Sequence, residues 1–166
     1  QRIVGLEIAA RRALLDDATE AMSRDRVELM EADGDPRLAA VDRFIAVNDL
    51  IEFNVAGGLN SHYAFYTALV EGGAFDRALT EEEILADVWG QEEVLREDNA
   101  HWLRSYLTLA YDPLTDAELD AYIAFSDSPA GRRLNRVLFA TFDAMFIDIS
   151  RSVGLAAARQ LRGRDL

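Results

Sequence analysis

The start of the predicted C-terminal helix carries the residue types of an anion-binding site. Three arginines follow Ser128 within about two helical turns, where the first backbone N–H groups of a helix have no intrahelical partner. Guanidinium groups beside such N–H groups bind phosphate or carboxylate. The alternative is that Asp116, Asp120 or Asp127 neutralises the arginines, because positive charge is unfavourable at this end of a helix. The candidate anion-binding residues are Ser128, Gly131, Arg132, Arg133 and Arg136.

The two histidines have an incomplete metal-binding spacing. His101 follows Glu97 and Asp98 by four and three residues, so one helix face would carry both carboxylates and the imidazole. A carboxylate three residues before a histidine is half of a di-metal site in a helical bundle, and the other half must come from a second helix. His62 has Leu59 at that position. We therefore expect no metal ligands and interpret His101 as a surface side chain paired with acids. A mononuclear site that uses both histidines stays open.

The sequence has no pattern typical of a catalytic or nucleotide-binding site. It contains no cysteine, which removes thiol catalysis and thiolate metal sites. It has no Gly-x-Ser-x-Gly motif. Gly57-Gly58 lacks the strand–turn–helix context of a phosphate-binding loop, and the chain has no lysine to complete one. We expect no catalytic residues and no cofactor.

Aromatic side chains at helical spacing predict either a packed core or the lining of an apolar ligand pocket. The polar residues Gln91 and Asn99 fall on or beside the predicted buried stripe of a long helix, which favours a cavity with a few polar groups among apolar ones. The ligand would be a small apolar or anionic molecule held between helices. The candidate pocket-lining residues are Tyr63, Tyr66, Gln91, Asn99, His101, Trp102 and Tyr106.

Length and charge limit the classes of partner. A chain of 166 residues, half of them hydrophobic, is long enough for one domain over residues 1–166 with its own core. The formal net charge is −13, from 30 acidic and 17 basic residues. A nucleic-acid phosphate backbone needs a coherent basic face, so the sequence predicts no nucleic-acid partner. No apolar run approaches the roughly 18 residues that span a bilayer, so we expect no transmembrane segment.

Helix-start signals and turn residues divide the chain into helices. Thr80 and Thr115 each precede a glutamate by three residues, which is the capping box of a helix N-terminus. Ser128-Pro129 and Asp35-Pro36 each place a capping residue before a proline at the first helical position. Gly57-Gly58 is expected to interrupt a helix. We predict an all-α fold, an irregular bundle of six or seven helices with short loops. The predicted helices cover residues 3–32 (as one helix or two), 36–56, 59–71, 80–110, 115–127 and 129–161.

The last predicted helix has the most regular apolar stripe in the chain. Its members follow one another in steps of three and four residues, with Phe139 and Phe146 on a neighbouring row. An apolar arc this wide is typical of a helix packed by several neighbours, and it can exceed what one chain covers. The stripe residues are Leu134, Leu138, Phe142, Met145, Ile149, Val153 and Ala156.

Residues 114–131 resemble the signature of a bacterial family, the domain of unknown function 2059. Members read LTxxEL, then an aromatic position, then SPxG before a long helix. The chain has Leu114-Thr-Asp-Ala-Glu-Leu119, then Phe125, then Ser128-Pro-Ala-Gly131. Phe125-Ser126 stands where members usually have Phe-Tyr, so the local packing is expected to differ. The resemblance implies an all-α fold and a secretory signal peptide, and it supplies no catalytic or binding residues.

These observations favour a non-enzymatic helical protein of the bacterial cell envelope with an interaction or structural function. It would act through contact with a protein partner or as a homo-oligomer. The resemblance implies a periplasmic or secreted location, with any leader removed before Gln1, while a cytoplasmic location stays open. The alternative is a carrier or sensor for the small apolar or anionic ligand described above.

Overall fold

The computed structural model describes residues 1–75, 77 and 79–162. Within these residues the regular elements are eight α-helices and no strand, so the prediction of an all-α fold is confirmed. The helices are α1 (Arg2–Ala13), α2 (Asp17–Ala32), α3 (Pro36–Val47), α4 (Leu50–Glu71), α5 (Glu81–Trp89), α6 (Glu92–Tyr111), α7 (Asp116–Asp127) and α8 (Pro129–Arg162).

Local hydrogen bonds start three helices where the sequence predicts. The Glu83 backbone N–H donates to the Thr80 hydroxyl at 3.2 Å, and the Thr80 N–H donates to the Glu83 carboxylate at 2.8 Å. The pair Thr115 and Glu118 makes the same two bonds at 3.3 and 2.8 Å. At the start of α8, the N–H three residues after Ser128 donates to the serine hydroxyl at 3.1 Å. Both capping boxes and the Ser-Pro start are confirmed.

The predicted break at Gly57-Gly58 is wrong, because α4 runs through both glycines and the chain turns earlier, at Asn48 and Asp49. The Asn48 side chain donates to the Phe44 carbonyl oxygen at 2.9 Å, which satisfies a free carbonyl at the end of α3. Asp49 has φ of 50°, a left-handed conformation that aspartate adopts more readily than most residues. Polar side chains therefore end the helix. Each glycine inside α4 costs about 1 kcal/mol relative to alanine, which tertiary packing overrides.

The long helix predicted in the middle of the chain is two helices, α5 and α6, separated by a turn at Gly90. The restart after this turn changes which residues of α6 face inward. Leu103 and Leu107 are buried, whereas Trp102 and Tyr106, two of the predicted pocket-lining residues, are half-buried. With this additional break, the described residues contain eight helices.

The chain divides into two compact units, each made of two chain segments. Unit 1 is Gln1–Ile51 with Glu97–Asn135, and unit 2 is Glu52–Arg96 with Arg136–Leu166. Three helices, α4, α6 and α8, contribute residues to both units. A single domain over residues 1–166 stays a prediction.

The core of unit 1 contains a cluster of three aromatic rings. Phe44 of α3 meets Tyr111 of α6 edge-on at a centroid distance of 5.3 Å, and it stacks on Tyr122 of α7 at 5.0 Å. The Tyr111 side chain is fully buried. Arg37 of α3 donates to the carbonyl oxygens of Tyr111 and Leu114, both at 2.6 Å. This guanidinium adds a charged donor just after the end of α6, where the Tyr111 oxygen also accepts from the Leu114 N–H at 2.9 Å.

Unit 2 depends on small residues that let α8 approach α4. A Cβ added at Gly154 would lie 2.6 Å from the Phe65 carbonyl oxygen. A Cβ added after the end of α4, at Gly72, would lie 2.3 Å from the Cβ of Ala158. Gly154 and Ala158 are both buried. The helices of unit 2 therefore pack at backbone-to-backbone distance along this side of α8.

Candidate functional site

The predicted apolar stripe of α8 is exposed, so it exceeds what the neighbouring helices of the described residues cover, which is one of the two expectations from the sequence. We use the name α8 stripe for six of its residues and note that Val137 and Phe146 lie beside it. All eight side chains are between 43% and 56% exposed. Half-exposure of a row this long leaves an apolar band on the surface of the described chain. The α8 stripe consists of Leu134, Leu138, Phe142, Met145, Ile149 and Val153.

The side of α8 that packs inward is a different one. It runs through Phe139, Asp143, Gly154 and Ala158, which are half-buried or buried. Consecutive residues of an α-helix are about 100° apart, so Asp143 lies about a quarter turn from its stripe neighbour Phe142. The inward side combines Phe139 with polar and small residues such as Asp143, Gly154 and Ala158, whereas the α8 stripe consists entirely of large apolar residues. The helix therefore shows its most hydrophobic row to solvent.

Charged side chains avoid the α8 stripe. The charged residues of α8 between Leu134 and Val153 all lie about 90° or more from the centre of the stripe on a helical projection. One of these side chains is already in an ion pair inside unit 2, since Arg151 contacts Glu71 at 2.6 Å. The six stripe positions themselves are free of charge, as the centres of protein interfaces generally are. The four charged residues are Arg136, Asp143, Asp148 and Arg151.

A groove lies beside the α8 stripe within unit 2, between α4 and α8. Its volume is about 310 Å³. Phe53 of α4 and Phe139 of α8 stack at a centroid distance of 4.7 Å at this contact. Asn60 donates to the Asp143 carboxylate at 3.2 Å. We call this cavity the aromatic groove; its lining residues are Phe53, Asn54, Gly57, Gly58, Ser61, Phe139, Phe142, Asp143 and Phe146.

The aromatic groove is a site that sequence reasoning missed. The sequence predicts a helix break at Gly57 and Gly58. In the structure both glycines lie inside α4, and because they have no side chains the floor of the groove stays open. The usable signal was the spacing of Phe139 and Phe146, which lie seven residues apart beside the apolar stripe. Seven residues are close to two helical turns, so both rings project on the same side of α8.

The predicted anion-binding residues form a capped and partly neutralised helix start in unit 1. Arg132 pairs with Asp127 at 2.8 Å, as the alternative interpretation expected. The Ser128 hydroxyl is occupied, because it accepts from the Gly131 N–H and donates to the Phe125 carbonyl oxygen at 2.6 Å. A Cβ at Gly131 would lie 2.2 Å from that same oxygen, so the glycine is required by close packing.

The two remaining arginines of that prediction, Arg133 and Arg136, are exposed on α8. Arg136 borders a second groove of unit 2, of about 340 Å³, which also contacts Asn60 and Asp143. The groove therefore has an acidic as well as a basic residue in its lining and is not a wholly basic site. The arrangement of all five residues favours a role in starting α8, and anion binding stays a prediction.

The predicted pocket-lining residues are distributed over both units. In unit 1, Trp102 stacks on Tyr106 at 4.8 Å and carries the Arg11 guanidinium 4.6 Å above its ring. In unit 2, the Tyr63 hydroxyl donates to Glu81 at 3.0 Å. The Trp102 ring therefore makes a cation–π contact with Arg11, and the Tyr63 hydroxyl makes a hydrogen bond with a carboxylate.

The other predicted pocket residues have individual surroundings. Tyr66 meets the adjacent Phe65 edge-on at 5.8 Å. The Gln91 side chain donates to the Asp87 carbonyl oxygen at 3.2 Å. Asn99 is half-buried and His101 is exposed. The aromatic groove is lined by none of the seven residues that the sequence indicated.

Unit 1 also holds a half-buried carboxyl group among tyrosines, which the sequence did not indicate. The Tyr111 hydroxyl donates to the Glu7 carboxylate at 2.8 Å, and the Tyr106 hydroxyl donates to the Glu7 carbonyl oxygen at 3.3 Å. Burial raises the pKa of the Glu7 carboxyl group above its usual range. Burial also raises the pKa of Tyr106 and of Tyr122 to about 12. The cluster ties α1 to α6 and α7 through a polar network inside the core of unit 1.

The described residues contain neither a metal-binding cluster nor a membrane-spanning helix. No group of three or more histidine, cysteine, aspartate or glutamate side chains could hold a metal ion there. Among the described helices, none combines the length and the apolar character that crossing a membrane requires. No family model, curated protein or solved structure matches the chain.

Proposed function

We propose that this chain is a helical interaction module that binds another protein surface through the α8 stripe. The observation that carries the proposal is the exposure of the whole stripe in a chain that could have buried it. Eight half-exposed side chains present on the order of 700 Å² of apolar surface, since a large side chain carries about 200 Å². The area that one partner contributes to a standard protein interface is about 800 Å².

Hydrophobic energetics support the same conclusion. Apolar surface gains about 25 cal/mol for each Å² removed from water, so a partner that covers the α8 stripe has a large driving force for association. The largest apolar patch on a typical monomer is about 300–600 Å², and it is often functional. The six stripe residues account for about 500 Å² of the exposed surface, which is in the upper part of that range, and they carry no charge, as is typical of the centre of an interface.

Site-specific photo-crosslinking tests the proposal. A photoreactive phenylalanine derivative at Phe142 is expected to give discrete crosslinked products in cells that produce the chain, because Phe142 would contact the partner. Adding Ile149→Asp on the same stripe should abolish those products. A matched control places the photoreactive group at Met22 of α2, which is 72% exposed and lies outside the stripe. Products of equal yield from Met22, or none from Phe142, would reject the proposal.

The aromatic groove supports a second candidate function, binding of a small apolar molecule. Four phenylalanines line it, and the Asp143 carboxylate at its wall favours a neutral or cationic ligand over an anionic one. Native mass spectrometry with dodecylamine and dodecanoate tests this function. We expect a complex with dodecylamine that Ser61→Trp abolishes, since the larger side chain would fill the groove. Equal binding by the Ser61→Trp variant would exclude the groove as the site.

The family resemblance and the envelope location are further proposals, supported by the motif at residues 114–131. The structure gives that motif a physical meaning, because its threonine, serine and glycine start α7 and α8. Fractionation of cells that produce the complete natural gene product tests the location. Recovery in the periplasmic fraction is expected, and recovery with cytoplasmic markers would contradict it.

A further inference from the structure

The residues of the α8 stripe are spaced symmetrically about its midpoint. Their successive separations are four, four, three, four and four residues, which read the same in both directions. A two-fold symmetric interface brings the same patch of both subunits together, so that patch must be complementary to itself. A symmetric spacing on one helix meets that requirement when two copies of the helix run antiparallel.

We infer that the partner of the α8 stripe is a second copy of this chain, packed antiparallel along α8. The inference rests on the proposed function and names its partner. With the two-fold axis beside the bond between residues 143 and 144, every stripe residue lies opposite another stripe residue. The opposed pairs are Leu134 with Val153, Leu138 with Ile149, and Phe142 with Met145, each formed twice.

The charges at the start of α8 favour the antiparallel direction over the parallel one. Arg132, Arg133 and Arg136 lie at one end of the stripe, and Arg132 is partly neutralised by Asp127. Parallel helices would gather six arginines at one end of the dimer, together with the positive ends of both helix dipoles. Antiparallel helices separate the two clusters by about 28 Å, at 1.5 Å per residue. That distance is well beyond the Debye length at physiological salt.

The exposed area agrees with a dimer. The α8 stripe and its two flanking residues offer on the order of 700 Å² per copy, and a stable two-fold interface needs about 800 Å² per partner. Exposed residues of α8 on either side of the stripe would supply the remaining area, about 100 Å² per copy. Because each chain carries a net charge of −13, the two copies repel each other at long range, and screening this repulsion should strengthen dimerisation.

Sedimentation equilibrium of the purified chain tests the existence of the dimer. We expect a reversible monomer–dimer equilibrium that tightens when NaCl rises from 50 to 500 mM. Phe142→Asp and Ile149→Asp should each weaken dimerisation at least tenfold, with the helical circular dichroism unchanged. The matched control Met22→Asp, on an exposed residue of α2, should not alter the equilibrium. A strict monomer at millimolar concentration would overturn the inference.

Cysteine crosslinking tests the direction of the helices, because the natural chain has no cysteine. A mixture of Leu134→Cys and Val153→Cys chains should form a mixed disulfide under mild oxidation. Neither variant alone should form one, since two copies of residue 134 would lie about 28 Å apart, far beyond disulfide reach. Disulfides between chains of the same variant, with no mixed disulfide in the mixture, would indicate parallel helices and overturn the inference.

The two proposals fail in distinguishable ways. If photo-crosslinking at Phe142 gives a product of twice the mass of the chain, both the interaction surface and the second copy are supported. A product of any other mass, sensitive to Ile149→Asp, leaves the interaction surface supported and overturns the second copy. The absence of any product, with a monomer in sedimentation, rejects both.

Discussion

Gly154 of α8 lies so close to the Phe65 carbonyl oxygen of α4 that a Cβ on the glycine would be 2.6 Å from it. Real Cβ atoms do not approach a backbone oxygen so closely, so Gly154→Ala must push the two helices apart. We expect a loss of about 1–3 kcal/mol in the free energy of unfolding, as for other overpacked sites. Urea denaturation followed by circular dichroism measures this change.

The control for this prediction is Gly5→Ala in α1. No heavy atom lies within 4 Å of a Cβ built on Gly5. Alanine is the better helix former, so this substitution should raise the free energy of unfolding by up to about 1 kcal/mol. Changes of the same sign for both glycines would contradict the close approach of α8 to α4.

Arg37 is expected to stabilise unit 1 more than other arginines in ion pairs. Its guanidinium donates to two carbonyl oxygens at 2.6 Å and to Asp116 at 2.5 Å, and the arginine side chain is only 19% exposed. Arg37→Ala should cost about 2–3 kcal/mol, because it removes a charged donor from both carbonyl oxygens and leaves the Tyr111 oxygen with the Leu114 N–H alone. The control Arg43→Ala removes an ion pair with Asp120 in which both side chains are 62% exposed, and it should cost less than about 1 kcal/mol. Equal losses would show that Arg37 acts as an ordinary surface ion pair.

The stability of the fold should decrease at alkaline pH because of the buried tyrosines. Burial raises the pKa of Tyr106 and Tyr122 from about 10 to about 12, and it raises that of Tyr111 as well. The folded state therefore favours the neutral phenols. Their contribution is fully present below pH 10 and is lost as the pH rises from 10 towards 12.

Thermal unfolding between pH 8 and pH 12 measures this loss. Tyr122→Phe removes one ionisable group and should make the decrease in Tm shallower than in the natural chain. The control Tyr66→Phe alters a tyrosine outside the cluster and should leave the decrease unchanged. The same slope for Tyr122→Phe and the natural chain would show that the cluster does not cause the pH dependence.

The start of α8 should depend on Gly131 and not on the arginines beside it. A Cβ at Gly131 would lie 2.2 Å from the Phe125 carbonyl oxygen and 2.7 Å from the Ser126 Cα. Gly131→Ala should therefore cost about 2 kcal/mol or more, whereas Arg133→Ala, on an exposed side chain, should change the stability by less than about 0.5 kcal/mol. Phosphate titration tests whether the start of α8 also binds anions. If phosphate raises the Tm of the natural chain and Arg133→Ala abolishes that rise, an anion site would be established.

Features made by neighbouring residues could be predicted from the sequence. The capping boxes of Thr80 and Thr115 form between residues three apart. Both partners of each hydrogen bond therefore lie in the same short stretch of sequence, where the pattern can be recognised. The same holds for Ser128 at the start of α8. The position of the break before α4 was not predictable in this way, because Gly57-Gly58 and Asn48-Asp49 both carry turn residues. The packing of the rest of α4 decides between them.

The sites were harder to predict than the helices. The aromatic groove combines residues about 90 positions apart, such as Phe53 and Phe139. The local sequence around either residue does not predict its contact with the other. The Glu7 cluster joins α1 to Tyr111, 104 residues later. Contacts of this kind form only when the helices pack, so periodicity can suggest which residues share a face but not which face meets which.

The sequence by itself determined that the chain is all-α, where most helices start, and that α8 carries a continuous apolar stripe. Tertiary structure alone decided that this stripe lies outside. The physical reason is the size of the side chains on the other side of α8: Gly154 and Ala158 permit backbone contact with α4 and its end, which a row of Phe, Leu and Ile would prevent. The large apolar row is therefore left on the surface, where we propose that a second copy covers it.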